Sequence, residues 1–298
     1  MKVCVLLSTY NGGKYLENQL QSIYNQKNAD IDILVRDDGS TDNTHEILED
    51  WTHKGRLKWS TGNNLGWAMS FMTLLITSPD YDYYAFCDQD DIWQEDKIDS
   101  AVQVLNQFDD IPCCYFSNLT YWKEGYPLRN VYDNLRFNKH TCLIQCPAYG
   151  CTMVFNRRLA DIIKKHPPKH VFAHDFWVYQ VATLIGRTYY DKESHILYRQ
   201  HDNNQEGALK SARETWKRRM SKSLKRFISG HQQQNNAAEL LRCYHEYMTA
   251  DTLHIVSGIA DYRKTLSAYL KLLFSSKYVM QRFENNIWLK LKILFCRL

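Results

Sequence analysis

No run of 18 apolar residues occurs in this 298-residue chain, so no segment is expected to cross a bilayer as a helix. Its start, MKVCVLLSTYN, is interrupted by Ser8 and Asn11 before an apolar stretch of signal-peptide length can form. Proline and glycine are scarce, at 6 and 12, which argues for a globular rather than a low-complexity chain. No internal repeat is found, and compositional bias is confined to residues 232–236. The nine cysteines include no CxxC pair. Cys142, Cys146 and Cys151 lack common zinc spacing, so buried free thiols in a reduced, cytosolic protein are expected. Phosphate loops are missing too. No GxGxxG follows a strand-like run, and Gly12-Gly13-Lys14 lacks the first Gly and the final Ser or Thr of a P-loop.

What is present is unevenly spread. Residues 1–205 hold 20 Lys and Arg against 26 Asp and Glu; residues 206–298 hold 17 against 7. An acidic front and a basic tail point to two different partners. Nucleic acid fits poorly, because the front is acidic and no nucleic-acid-binding motif appears. Tyr and Trp are abundant, at 20 and 8, most of them expected in the core.

Short apolar runs alternate with helical spacings over the first 110 residues. Residues 2–8 (KVCVLLS), 31–36 (IDILVR), 57–60 and 83–87 read as strands. Leu16, Leu20, Ile23 and Tyr24 mark one helix; Ile47, Leu48 and Trp51 a second, capped by Ser40 or Thr41. Phe71, Leu74 and Leu75 mark a third, and Ile98, Val102 and Leu105 a fourth. Residues 113–122, 148–155 and 196–199 read as further strands, with helices at 157–165 and 174–185. Residues 123–140 carry no legible pattern, and only helical spacing follows Glu206. The alternation predicts an α/β fold, Rossmann-like, with a mostly parallel sheet flanked by helices. Ligands in such sheets bind beyond the carboxyl ends of the strands. The polar clusters Thr9-Tyr10-Asn11, Asp37-Asp38 and Asp88-Gln89-Asp90-Asp91 all stand at those ends.

The last cluster, in FCDQDDIW, puts three aspartates into four positions directly after an apolar run. Like charges so close destabilise one another unless a cation or solvent relieves them. An Asp-x-Asp at a strand end suits Mg2+ or Mn2+, hard cations usually shared with substrate phosphates. A solvated acidic turn is the common alternative for an isolated Asp-x-Asp. Convergence with two other polar strand ends favours the metal.

Six segments together resemble the family 2 glycosyltransferases, which have the GT-A fold: LLSTYNGGKYLENQLQSI, ILVRDDGSTDNT, GNNLGW, FCDQDDIW, HDFW and YRQHDNN. The match covers about the first 205 residues. FCDQDDIW and YRQHDNN are similar to the bacterial rhamnosyltransferase-like subgroup that builds surface polysaccharides. The resemblance implies a GT-A catalytic domain over residues 1–205, with a nucleotide half at about 1–110 and an acceptor half at about 111–205. A basic helical region follows over 206–298. It implies that Thr9, Tyr10 and Asn11 line the nucleotide pocket. Asp38 would accept from the base N3–H, with Asp37 supporting the turn and Asn64 and Gly66 near the nucleotide or diphosphate. Asp88 and Asp90 form the Asp-x-Asp, Asp90 being the direct metal ligand, and Asp91 orients the donor sugar together with Asp88. Asp175 matches the catalytic base, and His201 a histidine that joins the metal or diphosphate. The sequence departs from the pattern at Trp67-Ala68-Met69, where relatives carry a basic residue, and at Asp202, where Gly is common.

The implied activity is transfer of a sugar, rhamnose or another hexose, from a dTDP- or UDP-linked donor to a glycan or lipid-linked acceptor, with inversion. The dense basic stretch from Lys217 to Arg226 and the ending IWLKLKILFCRL suit peripheral contact with anionic lipid at the inner face of the cytoplasmic membrane. A helical subdomain packed on the core is the alternative. Two rival functions share the fold plan: a nucleotidyltransferase, for which STYNGGKY is a poor glycine-rich loop, and a non-catalytic nucleotide- or glycan-binding module, against which Asp88, Asp90 and Asp175 argue.

Overall fold

The computed structural model describes residues 1–123, 126–130, 135, 137–200, 230–281 and 283–298. They fall into two compact units. The first comprises Met1–Asp133, Ala148–Ala182 and Gly186–His201; the second comprises Asn134–Pro147, Thr183–Ile185 and Asp202–Leu298. The division expected near residue 205 lies outside the described residues.

The first unit is built on a nine-stranded mixed sheet. Its opening elements are β1 (Lys2–Thr9), α1 (Leu16–Tyr24), β2 (Asp30–Asp37), α2 (Thr44–His53), β3 (Lys58–Thr61), α3 (Trp67–Thr77) and β4 (Tyr83–Cys87). Then come β5 (Ile92–Trp93), α4 (Lys97–Leu105), β6 (Cys113–Lys123), β7 (Tyr126–Asn130), β8 (Met153–Asn156), α5 (Arg157–Lys165), α6 (His174–Ile185) and β9 (Arg187–Arg199). The strand order is β3-β2-β1-β4-β8-β6-β9-β5, with β7 on β6. The first four strands are mutually parallel. β8 runs antiparallel to both β4 and β6. β1 lies between β2 and β4, so the chain winds one way from β1 to β3 and the other way to β4. Thr9 and Cys87 therefore end neighbouring strands at the switch point, the place where ligands bind in such sheets.

Burial explains why these runs form strands. Val3 to Leu7 and Tyr83 to Cys87 are buried on both faces, as central parallel strands are. Their apolar side chains carry the core with Leu16, Leu20, Phe71, Leu75 and Phe155.

Four expectations change. Ser40 and Thr41 do not cap α2, which starts at Thr44 with Asp42 Oδ1 accepting from the Thr44 amide at 3.1 Å. Ser40 is drawn instead to Asp37. The strand expected at 148–155 begins only at Met153, after a turn of 3₁₀ helix at Gly150–Thr152. β9 starts at Arg187, nine residues before the expected strand, because its first half is polar and half-exposed and lacks an apolar run. The stretch 123–140, read as patternless, contains β7.

The second unit carries four described helices after residue 230: α7 (Gln232–Tyr244), α8 (Ala250–Ala260), α9 (Leu266–Phe274) and α10 (Phe283–Leu294). Thr249 and Thr265 cap α8 and α9, accepting from the amides of Thr252 and Ala268 at 3.3 and 3.1 Å. The IWLKLKILFCRL ending is half packed into this unit. Leu289, Ile293 and Leu298 are buried, and Lys290 Nζ donates to the Leu273 and Ser275 carbonyls that finish α9. The basic stretch 217–226 lies outside the described residues. No helix among the described residues is long and apolar enough to cross a membrane.

Candidate active site

Two strand ends meet through one amide side chain. Gln89 Oε1 accepts from Thr9 Oγ1 at 2.7 Å and from the Tyr10 amide at 2.9 Å, while its Nε2 donates to the Tyr10 carbonyl. The approach is close enough that a Cβ on Gly12 would stand 2.4 Å from Gln89 Oε1. A side chain at Gly12 would therefore collide with the Gln89–Thr9 bond. The Thr9 carbonyl accepts from the Asp38 amide at 2.8 Å, and Asn11, at φ 50°, donates its amide to Ser40 Oγ and accepts from the Thr41 amide. Thr9 is buried and Tyr10 is half-exposed beside it.

Asp37 and Asp38 are buried and heavily bonded. Asp37 accepts from the amides of Gly39 and Ser40, from Ser40 Oγ, from Thr61 Oγ1 and from His45 Nε2. Burial pushes its pKa up, but the donors, Ser40 and His45 foremost, outweigh it and hold the carboxyl below its usual range. Asp38 is paired with Arg36 and accepts from the amides of Leu65 and Gly66 at 2.9 Å. Its carboxylate thereby folds the GNNLG turn around itself. Asn64 Oδ1 takes the Gly66 amide at 3.0 Å, and Gly66 stands at φ 75°, where glycine is favoured. So six expected nucleotide residues and Gly66 share one rim, but the Asp38 oxygens are engaged by this chain's own donors.

The acid loop follows β4. Asp88 and Asp90 are half-buried and Asp91 is fully buried. Asp91 Oδ1 accepts from the Arg199 amide at 3.1 Å; its Oδ2 has no hydrogen-bond partner. Arg199 also donates Nε to the Asp90 carbonyl at 2.8 Å and lies between the rings of Tyr15 and Trp122, at 4.7 and 4.4 Å. Burial first, then mutual repulsion with Asp90, raises the pKa of both Asp88 and Asp91. One ligand atom each from Asp88, Asp91 and Cys151 lies within 4.8 Å of the others. An orphaned buried carboxylate oxygen among repelling acids fits a cation.

Asp175, in the first turn of α6, completes the constellation. A Cβ on Gly150 would stand 3.5 Å from Asp175 Cβ, and the next residue, Cys151, has its ligand atom within 4.8 Å of one from each of Asp88 and Asp91, so the base candidate lies close to the acid loop. Its carboxylate accepts from the Phe176 amide at 2.7 Å. Burial raises its pKa to about 6, against backbone donors that lower it. His174 before it is buried, with neither ring nitrogen bonded, stacked on Phe71 at 4.0 Å and edge-on to Phe86 and Trp67. Burial drives its pKa down to about 3, so the ring is neutral. Gly150 makes room for it: a Cβ there would stand 2.5 Å from His174 Nε2. His201 lies outside the described residues.

Sequence reasoning missed Gln89, Arg199, Cys151 and the buried Lys97. Gln89 and Arg199 lie inside the quoted segments, but nothing in their residue type marks a bridging role. Lys97 reads as one more surface charge on a helix.

The chain is similar to known glycosyltransferases in sequence and in fold. A model of the glycosyl transferase family 2 matches residues 4–163. The dTDP-rhamnosyl transferase RfbG of Shigella flexneri is 32% identical over 230 residues, covering 71% of this chain and 77% of the relative. Among solved structures, S. aureus TarS in complex with UDP-GlcNAc superposes with a TM-score of 0.60 at 17% identity, over 99% of this chain and 80% of that one. A mannosyltransferase from Pyrobaculum calidifontis, solved with GDP-Man and Mn2+, gives 0.53 at 17% identity, over 99% and 85%. These likenesses fix the fold as GT-A with a helical C-terminal region. With the strand-end acids gathered at the switch point and the matched sequence spanning more than half of its length, the chain belongs to the family 2 glycosyltransferases.

Proposed function

We propose that this glycosyltransferase moves rhamnose, or another hexose, from a dTDP- or UDP-linked donor to a hydroxyl of a glycan or lipid-linked oligosaccharide in bacterial surface polysaccharide synthesis. The observation that carries this reading is the convergence of Asp175 with the Asp88–Asp91 loop, through Gly150 and Cys151, at the sheet's switch point. The name of the Shigella relative supports rhamnose and dTDP.

The residues divide the work by chemistry. Thr9, Tyr10, Asn11, Asp37, Asp38, Asn64 and Gly66 form the nucleotide rim. Asp88 and Asp90 offer oxygen ligands to Mg2+ or Mn2+, joined by His201, and Asp91 with Asp88 orients the donor sugar. The cation, when bound, neutralises the diphosphate as it leaves. Asp175 takes the proton of the attacking acceptor hydroxyl. A raised but still acidic pKa suits that task, since the group is ionised at neutral pH and basic enough to accept. A single base with no covalent nucleophile predicts inversion at the anomeric carbon.

The apolar surface of the second unit supports membrane contact. Leu266, Leu270 and Phe274 lie at i, i+4 and i+8 on α9, and Leu266 and Phe274 are 72% and 79% exposed. Exposed Lys264, Lys271 and Lys277 flank them. Such a face suits the cytoplasmic surface of an anionic bilayer that carries the acceptor.

Purified protein incubated with dTDP-rhamnose and with UDP-sugars tests the reading. Nucleoside diphosphate release that requires Mg2+ or Mn2+ and is lost in Asp90→Ala supports it. No release and no thermal stabilisation by any donor would sink it.

A further inference from the structure

Trp67 joins the two halves of the site. Its backbone belongs to the turn wrapped around Asp38. The preceding residue, Gly66, donates its amide to Asp38 Oδ2 at 2.9 Å, and the Gly66 carbonyl accepts from the Ser70 amide at 3.0 Å as α3 opens. Its ring belongs to the other half. The indole lies 5.5 Å from the His174 ring, at 75° to it, and His174 directly precedes Asp175. That support is rigid. Phe71, one helical turn after Trp67, stacks on His174 at 4.0 Å, Phe86 meets it edge-on at 4.6 Å, and a Cβ on Gly150 would collide with it.

The remainder of the indole faces solvent, since Trp67 is 47% exposed. A Cβ on Gly66 would meet nothing within 4 Å, so the space beside this turn is open. One exposed aromatic side chain is ordinary. The distribution of such side chains in the first unit is not. Among its described residues seven large apolar side chains are exposed, and four of them stand at the site. Tyr10 belongs to the rim, Leu65 and Trp67 flank Gly66, and Phe172 comes three residues before Asp175. The first turn of α3 adds no charge to this surface. Ala68 and Met69 are apolar, and Ser70 is buried, its Oγ accepting from Ser8 Oγ and Arg36 Nη1.

A large ring fixed on a rigid support suits the apolar C–H face of a pyranose, and it loses little freedom when the sugar binds. The donor is the ligand that must run from the rim to the base. Its nucleoside is held at the rim, and its anomeric carbon lies within reach of the hydroxyl that Asp175 activates. A ring anchored at both ends flanks the sugar between them. We propose that Trp67 is a donor-sugar residue, its indole packing against the apolar face of the transferred hexose and directing the anomeric carbon toward Asp175. The inference rests on the nucleotide-sugar reading above. It divides sugar recognition between carboxylates for the hydroxyls and an indole for the C–H face.

Calorimetric titration of the full chain, with Mg2+ and Mn2+ present, compares dTDP-rhamnose with dTDP and UDP-glucose with UDP. The parent is expected to bind one of the two pairs. In Trp67→Ala the Kd of the sugar nucleotide rises roughly five- to thirtyfold, while that of the bare diphosphate stays within about twofold. Trp67→Phe keeps most of the sugar affinity. Equal losses for sugar nucleotide and bare diphosphate put the ring on the nucleoside and overturn the proposal. Unchanged affinity for both in Trp67→Ala overturns it as well, and leaves the nucleotide-sugar reading standing. No binding of either pair to the parent overturns both. Should Trp67→Ala fail to fold, Trp67→Leu against Trp67→Phe makes the same comparison. Leu is expected to lose the sugar affinity that Phe keeps, and equal affinities overturn the proposal.

Discussion

Gln89 and Thr9 stand 80 positions apart in the chain and 2.7 Å apart in space. That bond ties the acid loop after β4 to the end of β1, so the loop and the Thr9–Asn11 turn hold one another in place. Gln89→Ala leaves Thr9 Oγ1 and the Tyr10 amide without their acceptor. The expected cost is about 1–3 kcal/mol of stability, together with a rise in donor KM larger than the fall in kcat. Urea denaturation and steady-state kinetics measure the two effects.

Asp175→Asn removes the proton acceptor without changing the size of the side chain. Turnover should fall roughly 10²–10⁴-fold, with donor affinity nearly unchanged. Wild-type kcat should rise with pH through about 6 and then level, because the base works only when ionised. A variant that keeps this limb would place the base elsewhere.

Asp88 carries a stability signature with a definite sign. Its carboxyl is raised from 3.8 to about 7 in the fold, so without metal the folded protein holds a proton there that the unfolded chain releases. Metal-free stability must then fall as pH rises from about 4 to about 7 and level above. Asp88→Asn should flatten that slope and raise the melting temperature at neutral pH, by roughly 2–4 °C for each kcal/mol of relieved repulsion. Calorimetry across this range in chelator decides, and an unchanged slope would refute the assignment.

Gly150→Ala drives a methyl group to 2.5 Å from His174 Nε2. The ring is packed against Phe71 and Phe86 and has little room to yield. The expected loss is about 1–3 kcal/mol, with turnover falling further because Asp175 follows His174. Thermal melts and kinetics on the same preparation separate the two losses.

Phe274→Glu on α9 should abolish sedimentation with vesicles containing anionic lipid, while leaving donor hydrolysis intact. Binding retained by the variant would remove α9 as the membrane face.

The sequence was most readable where the physics is local. β1, β2 and β4 are short apolar runs closed by turn residues, and the polar strand ends follow from them. β5, two residues long, leaves no pattern to find. The first half of β9 is polar because its side chains are half-exposed, and pairing with β6, not composition, makes it a strand. The site was legible in its carboxylates and illegible in what organises them. Asp175 was reached only through resemblance. Gln89, Cys151 and Lys97 take their meaning from neighbours dozens of residues away.

The Arg199 clasp has a consequence for biosynthesis. The amide and guanidinium that hold Asp91 and the Asp90 carbonyl come from the last residue of β9. A ribosome releases the parallel half of the sheet, with all its acids, more than 100 residues before that clasp exists. Until then the nascent chain has an unfastened acid loop. The candidate site is thus completed late, by the far end of the first unit, and a chain terminated before Arg199 would lack the clasp on its acid loop.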